Sequence, residues 1–448
     1  MPTPIPLSSL LRLLPETTML RDGMLHIADH SISDLAKDYG TPLYIFDRAT
    51  IVSACERYKR AFTDVYTMSD VRMLYASKAY ISPLLARLVV EQGMGLDVVS
   101  AGELLVAQHA HVPVERVSFH GNNKMEEELR LALTLGVGRV VLDNWSELER
   151  LTHLAHEMHL RPRVLLRVAP NVETETHRYL QTGHAAAKFG FPLAGGEAKA
   201  AIVRLLRENV LDIVGLHAHS GTMLYDTRPY CECLTHLLEL ADTVYSETRW
   251  WPHELSPGGG WGVETVETLD TKLPSIETLA QALQQTMRNV LATLHDGVRH
   301  APTLLIEPGR SIIARAGVAI YRVGARKETP GGVTYLFVDG GMADNIRPAL
   351  YHARYTALPV QEVTRAARES VCIAGRYCES GDTLVESVTL PHMREGELLA
   401  VPTSGAYCLP MASNYNLVPR PAALLVSEQQ VLLMERRETY QDLLARYA

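Results

Sequence analysis

From residue 73 onward, short apolar runs alternate with longer amphipathic segments. The runs cover 73–76, 96–99, 116–119, 139–142, 164–168, 213–217, 254–256 and 303–306. Between most of them lie segments with helical periodicity, at 83–92, 102–110, 125–135, 146–158, 196–208, 229–246 and 276–294. Strands alternating with helices of this length predict βαβ units and a parallel sheet. Eight such units fit a (β/α)8 barrel, which closes with eight strands; the alternative is an open doubly wound sheet.

The pattern differs at both ends. Residues 24–28 and 44–47 predict strands, 31–39 a helix ending at Gly40, and 49–63 another helix. After Arg310 the long helices stop until about Tyr440. Short β-type runs at 318–323, 333–338, 371–374, 383–389, 398–401, 422–427 and 431–435, parted by turns, predict an all-β sandwich or barrel. The expected organisation is therefore α/β plus all-β. A TIM-like barrel spans 48–307, and a β-domain is built from 1–47 and 308–448, mostly its C-terminal part.

Composition narrows the class. A hydrophobic fraction of 47 % over 448 residues is ample for full cores, and charged residues make up 21 %. The net charge of -8 argues against a nucleic-acid partner. Six cysteines without C-x-x-C spacing read as reduced thiols of a cytoplasmic protein. The amino end has no basic start and no small-residue cleavage site, so no signal peptide is expected. No uncharged apolar run reaches the ~18 residues needed to span a bilayer, so no membrane is expected.

The chemistry lies just after the strands. The first run ends in Tyr75-Ala76-Ser77-Lys78-Ala79. A lysine at a strand end is usually a solvated loop residue. In a partly dry barrel mouth it loses its proton more easily and attacks carbonyl carbons, as Schiff-base lysines do; the economical partner is pyridoxal 5'-phosphate (PLP). The other runs end at Asp97, His120, Asp143, Arg167, His217 to Thr222, Gly258-Gly259-Gly260, and Glu307-Pro308-Gly309-Arg310. In a barrel these ends meet on one face, where active sites are built.

Each tail also has a plainer reading. The glycine triplet is a turn, or a place where backbone N–H groups approach a phosphate. His219 is a core histidine, or a flat ring stacked on a cofactor. Glu307 is a surface carboxylate, or the partner of a pyridine nitrogen. The histidines are not spaced with carboxylates or thiols in a familiar ligand pattern, so no metal site is expected.

Several motifs together resemble the fold type III PLP-dependent decarboxylases, and among them the branch acting on meso-diaminopimelate. They are Tyr75 to Ala79, Lys188-Phe189-Gly190, His217 to Thr222, the glycine triplet, Glu307 to Arg310, Arg347 to Tyr351, Cys378-Glu379-Ser380-Gly381-Asp382 and Gly405-Ala406-Tyr407. The likeness runs from about Tyr44 to Pro419. It implies conversion of meso-2,6-diaminopimelate to L-lysine and CO2, the last step of lysine biosynthesis.

The resemblance also implies roles. Lys78 carries PLP and His219 stacks on its ring. Thr222, Gly258, Gly259 and Gly260, with Pro308, Gly309 and Arg310 nearby, surround the cofactor, and Glu307 faces the ring nitrogen. Arg310, Arg347 and Tyr351 grip the substrate's far carboxylate, and Glu379 meets its far amine. Cys378 donates a proton, and Tyr407 touches cofactor and substrate. A homodimer with shared sites is implied, Cys378 and Glu379 reaching the partner. Two positions depart from the family: Ser220 after the stacking histidine, and Tyr377 before Cys378. Residues 1–20 have no expected role. The alternatives are a relative acting on ornithine, lysine, arginine or carboxynorspermidine, a PLP racemase, and a non-catalytic regulator; Lys78 and Cys378, both present, count against the last.

Overall fold

The computed structural model describes residues 5–172, 188–294 and 299–447. The chain forms two compact units. One comprises Cys55–Gly262 and Leu273–Gly309, the other Met1–Ala54, Val263–Lys272 and Arg310–Ala448.

The first unit is a closed parallel barrel. Its strands are Val71–Ala76, Gly95–Val98, Val117–Phe119, Arg139–Leu142, Arg163–Ala169, Asp212–His217, Glu254–Ser256 and Thr303–Ile306. Each pairs with the next, and the eighth closes on the first through Leu304–Val71 and Ile306–Met73. Leu74, Val141, Leu165, Val214 and Leu305, buried and contributed by five strands, fill the interior together. At the opposite end from the strand tails, the buried Glu254 accepts from Arg72, Arg139 and Arg163 at 2.6–3.2 Å.

Local chemistry sets the helix starts. Ser82, Ser100 and Asn144 each accept a backbone N–H of the first helical turn from extended backbone, at Pro83–Glu91, Ala101–His109 and Trp145–Glu157. Such caps satisfy donors that the helix leaves orphaned, and removing one costs about 1 kcal/mol. The third strand-to-helix turn is pinned from inside. Buried Lys124 donates to Gly121 O and Val141 O at 2.7 Å and to Glu147 at 2.6 Å.

The second unit is the expected β-domain. Its main sheet runs Thr383–Leu390, Glu369–Ala374, Thr334–Val338, Gly317–Glu328, Leu43–Asp47, Ala422–Ser427, Gln430–Glu435. The 12-residue strand Gly317–Glu328 shifts register at Gly324 and so serves two sets of neighbours. Its first half pairs with Leu43–Asp47 and Leu398–Val401, its second with Thr334–Val338. The amino-terminal residues have a role after all. Helix Leu7–Leu13 lays Leu10 and Leu11 on a core containing Leu25, Ile45, Val318, Ile320 and Leu424. Arg12 donates to Leu269 O and pairs with Glu264, which ties segment Val263–Lys272 to this unit although it lies within the range expected for the barrel.

Candidate active site

The barrel mouth gathers the strand tails. Lys78 sits in a single 3-10 turn, Ser77–Ala79, directly after the first strand. Its neighbours Ser77 and Ala79 are buried while Lys78 itself is exposed, with its charge felt by Asp97 and His219. Deeper in the mouth, Asp97 Oδ1 lies 3.6 Å from His120 Nε2. Burial pushes the Asp97 carboxyl up to about 7, while the Lys78 charge pulls it down. Arg167 is buried 3.7 Å from Asp143 and 4.4 Å above the Phe189 ring.

Glu307 is the best-supported group. Ser256 Oγ donates to its Oε1 at 2.6 Å, and His217 Nε2 to its Oε2 at 3.1 Å. Burial alone would raise this carboxyl; the two histidines and the serine hydroxyl outweigh it and hold the group below the usual carboxylate range. The His120 and His217 rings meet edge-on at 5.0 Å. Ligand-capable atoms of His120, His217 and Glu307 fall within 4.8 Å of one another, a grouping invisible to linear spacing because three separate strand ends supply it.

The glycine triplet is both a packing device and a source of donors. A Cβ on Gly259 would stand 1.9 Å from Glu307 O, and one on Gly260 2.0 Å from Gly221 O. Gly258 and Gly260 have φ of 87° and 102°, which side chains rarely adopt. Two of the N–H groups are engaged: Gly258 N donates to Ser256 Oγ at 3.1 Å and Gly259 N to His219 Nδ1 at 3.2 Å. The second bond makes Nδ1 an acceptor and fixes the half-buried His219 ring. Burial and the nearby Lys78 charge hold this imidazole neutral. Thr222 is half-buried two residues beyond the buried Ser220, whose hydroxyl faces the Cys233 thiol. Pro308 O accepts from Ala76 N at 3.0 Å, and Gly309 packs on Ala76, joining the eighth tail to the first.

The β-domain carries a second cluster. Arg310 opens the short helix Arg310–Ile313, and Arg347 opens Arg347–Tyr351. Both are buried. Their guanidinium carbons stand 4.6 and 5.7 Å from the centre of the Tyr407 ring, and Arg347 is 5.7 Å from that of Tyr351. Tyr407 has φ +63, the left-handed region that non-glycine residues occupy mainly where the surroundings impose it. Two residues earlier, Gly405 packs so closely that a Cβ would meet Ile313 O at 2.0 Å. Tyr355, which no motif pointed to, receives Arg347 Nε–H at 3.0 Å.

Cys378 and Glu379 are exposed in a loop held from below. Asp382, buried, accepts from Met342 N and Tyr377 N at 2.7 and 2.8 Å. Cys378 N donates to Asn416 Oδ1, and Tyr415 Oη to Glu379 Oε1. Tyr377 packs its ring 6.2 Å from that of Tyr415, which gives the unusual residue a place.

Residues 48–314 match the family described as pyridoxal-dependent decarboxylase, pyridoxal binding domain. The chain belongs to the pyridoxal-dependent decarboxylases. It is 40 % identical to a diaminopimelate decarboxylase of Bacillus subtilis, over 94 % of both chains. It is 36 % identical to that of Mycobacterium tuberculosis, over 98 % of this chain and 99 % of the other. Among solved structures, the diaminopimelate decarboxylase of M. jannaschii in co-complex with L-lysine aligns with TM-score 0.89 and 33 % identity, covering 97 % and 98 % of the two chains. The Helicobacter pylori enzyme complexed with L-lysine aligns with TM-score 0.82 and 28 % identity, covering 92 % and 98 %.

A PLP-dependent decarboxylase needs an amine for the aldehyde, an anion for the ring nitrogen and backbone close to the phosphate. The barrel mouth supplies all three types: the exposed Lys78, the ionised Glu307, which retains lone pairs beyond its two bonds, and the glycine triplet. The fit is good. Among the described residues, no helix is long and apolar enough to cross a membrane.

Proposed function

We propose that this chain decarboxylates meso-2,6-diaminopimelate to L-lysine and CO2, and that it works as a cytoplasmic homodimer with shared sites. The observation that carries the substrate reading is the pair of buried guanidiniums, Arg310 and Arg347, both close to the ring of one tyrosine, Tyr407. Buried guanidiniums, with their planar forks of N–H donors, suit the bidentate grip of a carboxylate.

Bound PLP supplies an electron sink that stabilises the carbanion left when CO2 departs. The chain's own residues hold and orient. Lys78 Nζ is the covalent anchor. Glu307, kept ionised by Ser256 and His217, would keep a proton on the ring nitrogen of the bound cofactor. His219 would cover the ring and Thr222, Gly258, Gly259 and Gly260 would hold the phosphate, with Pro308, Gly309 and Arg310 nearby as further cofactor-binding residues. Arg310, Arg347 and Tyr351 grip the far carboxylate, and Tyr407 braces cofactor and substrate. Fixing the substrate in one orientation lowers the barrier by several kcal/mol. Cys378 Sγ returns a proton to the carbon that lost CO2, and Glu379 meets the far ammonium. The exposure of Cys378 and Glu379 in a single chain supports their serving the partner's site. Six free cysteines support a reducing compartment.

The test is to incubate the protein and PLP with meso-diaminopimelate, ornithine, lysine and arginine in turn, and to assay CO2 and amine products. Lysine from diaminopimelate is the expected main product. A preference for any of the other three overturns the substrate reading.

A further inference from the structure

Tyr355 belongs to no motif, yet it is the residue hydrogen-bonded to the Arg347 guanidinium. Arg347 Nε donates to Tyr355 Oη at 3.0 Å, and Oη stands 3.6 Å from the buried Cys408 Sγ. A phenol has one proton to give and lone pairs to accept with. With Arg347 a permanent donor, the hydroxyl accepts from Nε and turns its own proton toward the sulfur. Burial pushes the Tyr355 hydroxyl well above its ordinary range, so it stays protonated and able to do both. Burial likewise holds the Cys408 thiol up, at about 11, so the sulfur is a neutral acceptor.

This bond has a consequence for substrate binding. A guanidinium grips a carboxylate either side-on, through Nε and one Nη, or end-on, through both Nη groups. Commitment of Nε to Tyr355 closes the side-on mode. The end-on fork, Nη1 with Nη2, points away from the bond. Cys408 directly follows Tyr407, whose ring lies against both Arg347 and Arg310. One tyrosine therefore ties the orientation of Arg347 to the strained turn that carries Tyr407.

We propose that Tyr355 is a positioning residue that sets specificity for a substrate with a distal carboxylate, by locking Arg347 in the end-on orientation. The proposal rests on the diaminopimelate reading above. Tyr355 touches neither the reacting carbon nor the cofactor in this account. It acts through Arg347, so its loss weakens binding of the distal carboxylate and leaves the chemical step nearly intact.

The test uses the holoenzyme and its Tyr355→Phe variant with meso-diaminopimelate and with lysine, which lacks the distal carboxylate. Losing one hydrogen bond to a charged group is expected to raise KM for diaminopimelate about tenfold, with kcat within about threefold. Any turnover of lysine should change less than about twofold, so the preference ratio falls by about the same tenfold. Arg347→Lys and the double variant complete a cycle. With no guanidinium to orient, adding Tyr355→Phe to Arg347→Lys should cost nothing further, whereas a merely structural tyrosine gives additive losses. An unchanged KM, equal losses on both substrates, or additivity each overturns the proposal. Should Tyr355→Phe not fold, 3-fluorotyrosine at this position, a weaker acceptor of nearly the same shape, is expected to raise KM for diaminopimelate selectively, and an unchanged KM overturns the proposal. If wild-type enzyme itself prefers lysine or ornithine, the substrate reading fails first, and the wild-type control separates that outcome from a failure of Tyr355.

Discussion

Asp97 Oδ1 and His120 Nε2 stand 3.6 Å apart at the ends of neighbouring barrel strands, both buried. Burial depresses the imidazole well below its usual value, so it is neutral, and pushes the carboxyl up to about 7. The unfolded carboxyl titrates near about 3.9. Between those two values the folded chain binds a proton that the unfolded chain has released. Stability contributed at this site is therefore present at low pH and declines as pH rises toward 7. Asp97→Asn removes the slope. The melting temperature of the PLP-free variant, minus that of wild type, should climb between pH 5 and about 7 and level off above. A difference that is flat across this range, or that falls, contradicts the reading.

Lys78 is expected to carry the cofactor. Its exposure at the mouth, beyond the buried Ser77, leaves the amine reachable by an incoming aldehyde. The lysine–PLP linkage absorbs in the visible, and borohydride reduction should fix it to one peptide. Mapping the reduced adduct to any lysine but Lys78 sinks the assignment. Lys78→Ala should lack the visible band.

A shared site predicts complementation. Lys78→Ala and Cys378→Ala homodimers should each be inactive. After subunit exchange, half of the dimers are mixed, and each mixed dimer contains one site with both Lys78 and Cys378. Recovery of up to about a quarter of wild-type activity is expected. No recovery under conditions where exchange is independently demonstrated refutes sharing.

The strand tails were legible because a parallel barrel repeats one local pattern, an apolar run followed by a polar turn. The eighth strand, Thr303–Ile306, and its tail Glu307 followed from that rhythm alone. Support for Glu307 was not legible. Ser256 and His217 reach it from the seventh and sixth strands, and only barrel closure brings them within 3.1 Å. Tyr355 was missed because its position carries no periodicity and its partner Arg347 sits eight residues earlier, across a helix that ends with His352 at φ 54. The role of helix Leu7–Leu13 was hidden because its partners lie far along the chain, at Val318, Ile320 and Leu424.

Arg347 offers the sharpest check on the substrate. Its guanidinium is buried, is oriented by Tyr355 and faces the Tyr407 and Tyr351 rings. Among the described residues, its contacts are Tyr355, Tyr351 and Tyr407, and no carboxylate forms a salt bridge with it. A buried cation of this kind is costly unless a ligand completes it. meso-Diaminopimelate brings a carboxylate at the end remote from the chemistry; lysine and ornithine do not. Sites built on such polar pairing reject the deficient analogue by roughly 10^4-fold or more. Arg347→Leu keeps an apolar side chain in the pocket and removes the fork. Activity on diaminopimelate should fall by at least about a hundredfold, as expected for losing a buried charge-assisted pair, while PLP stays bound. The discriminating measurement is kcat/KM on both substrates beside the visible absorbance of the cofactor. Retained diaminopimelate turnover in the variant would remove Arg347 from the recognition site even with the barrel and its cofactor intact.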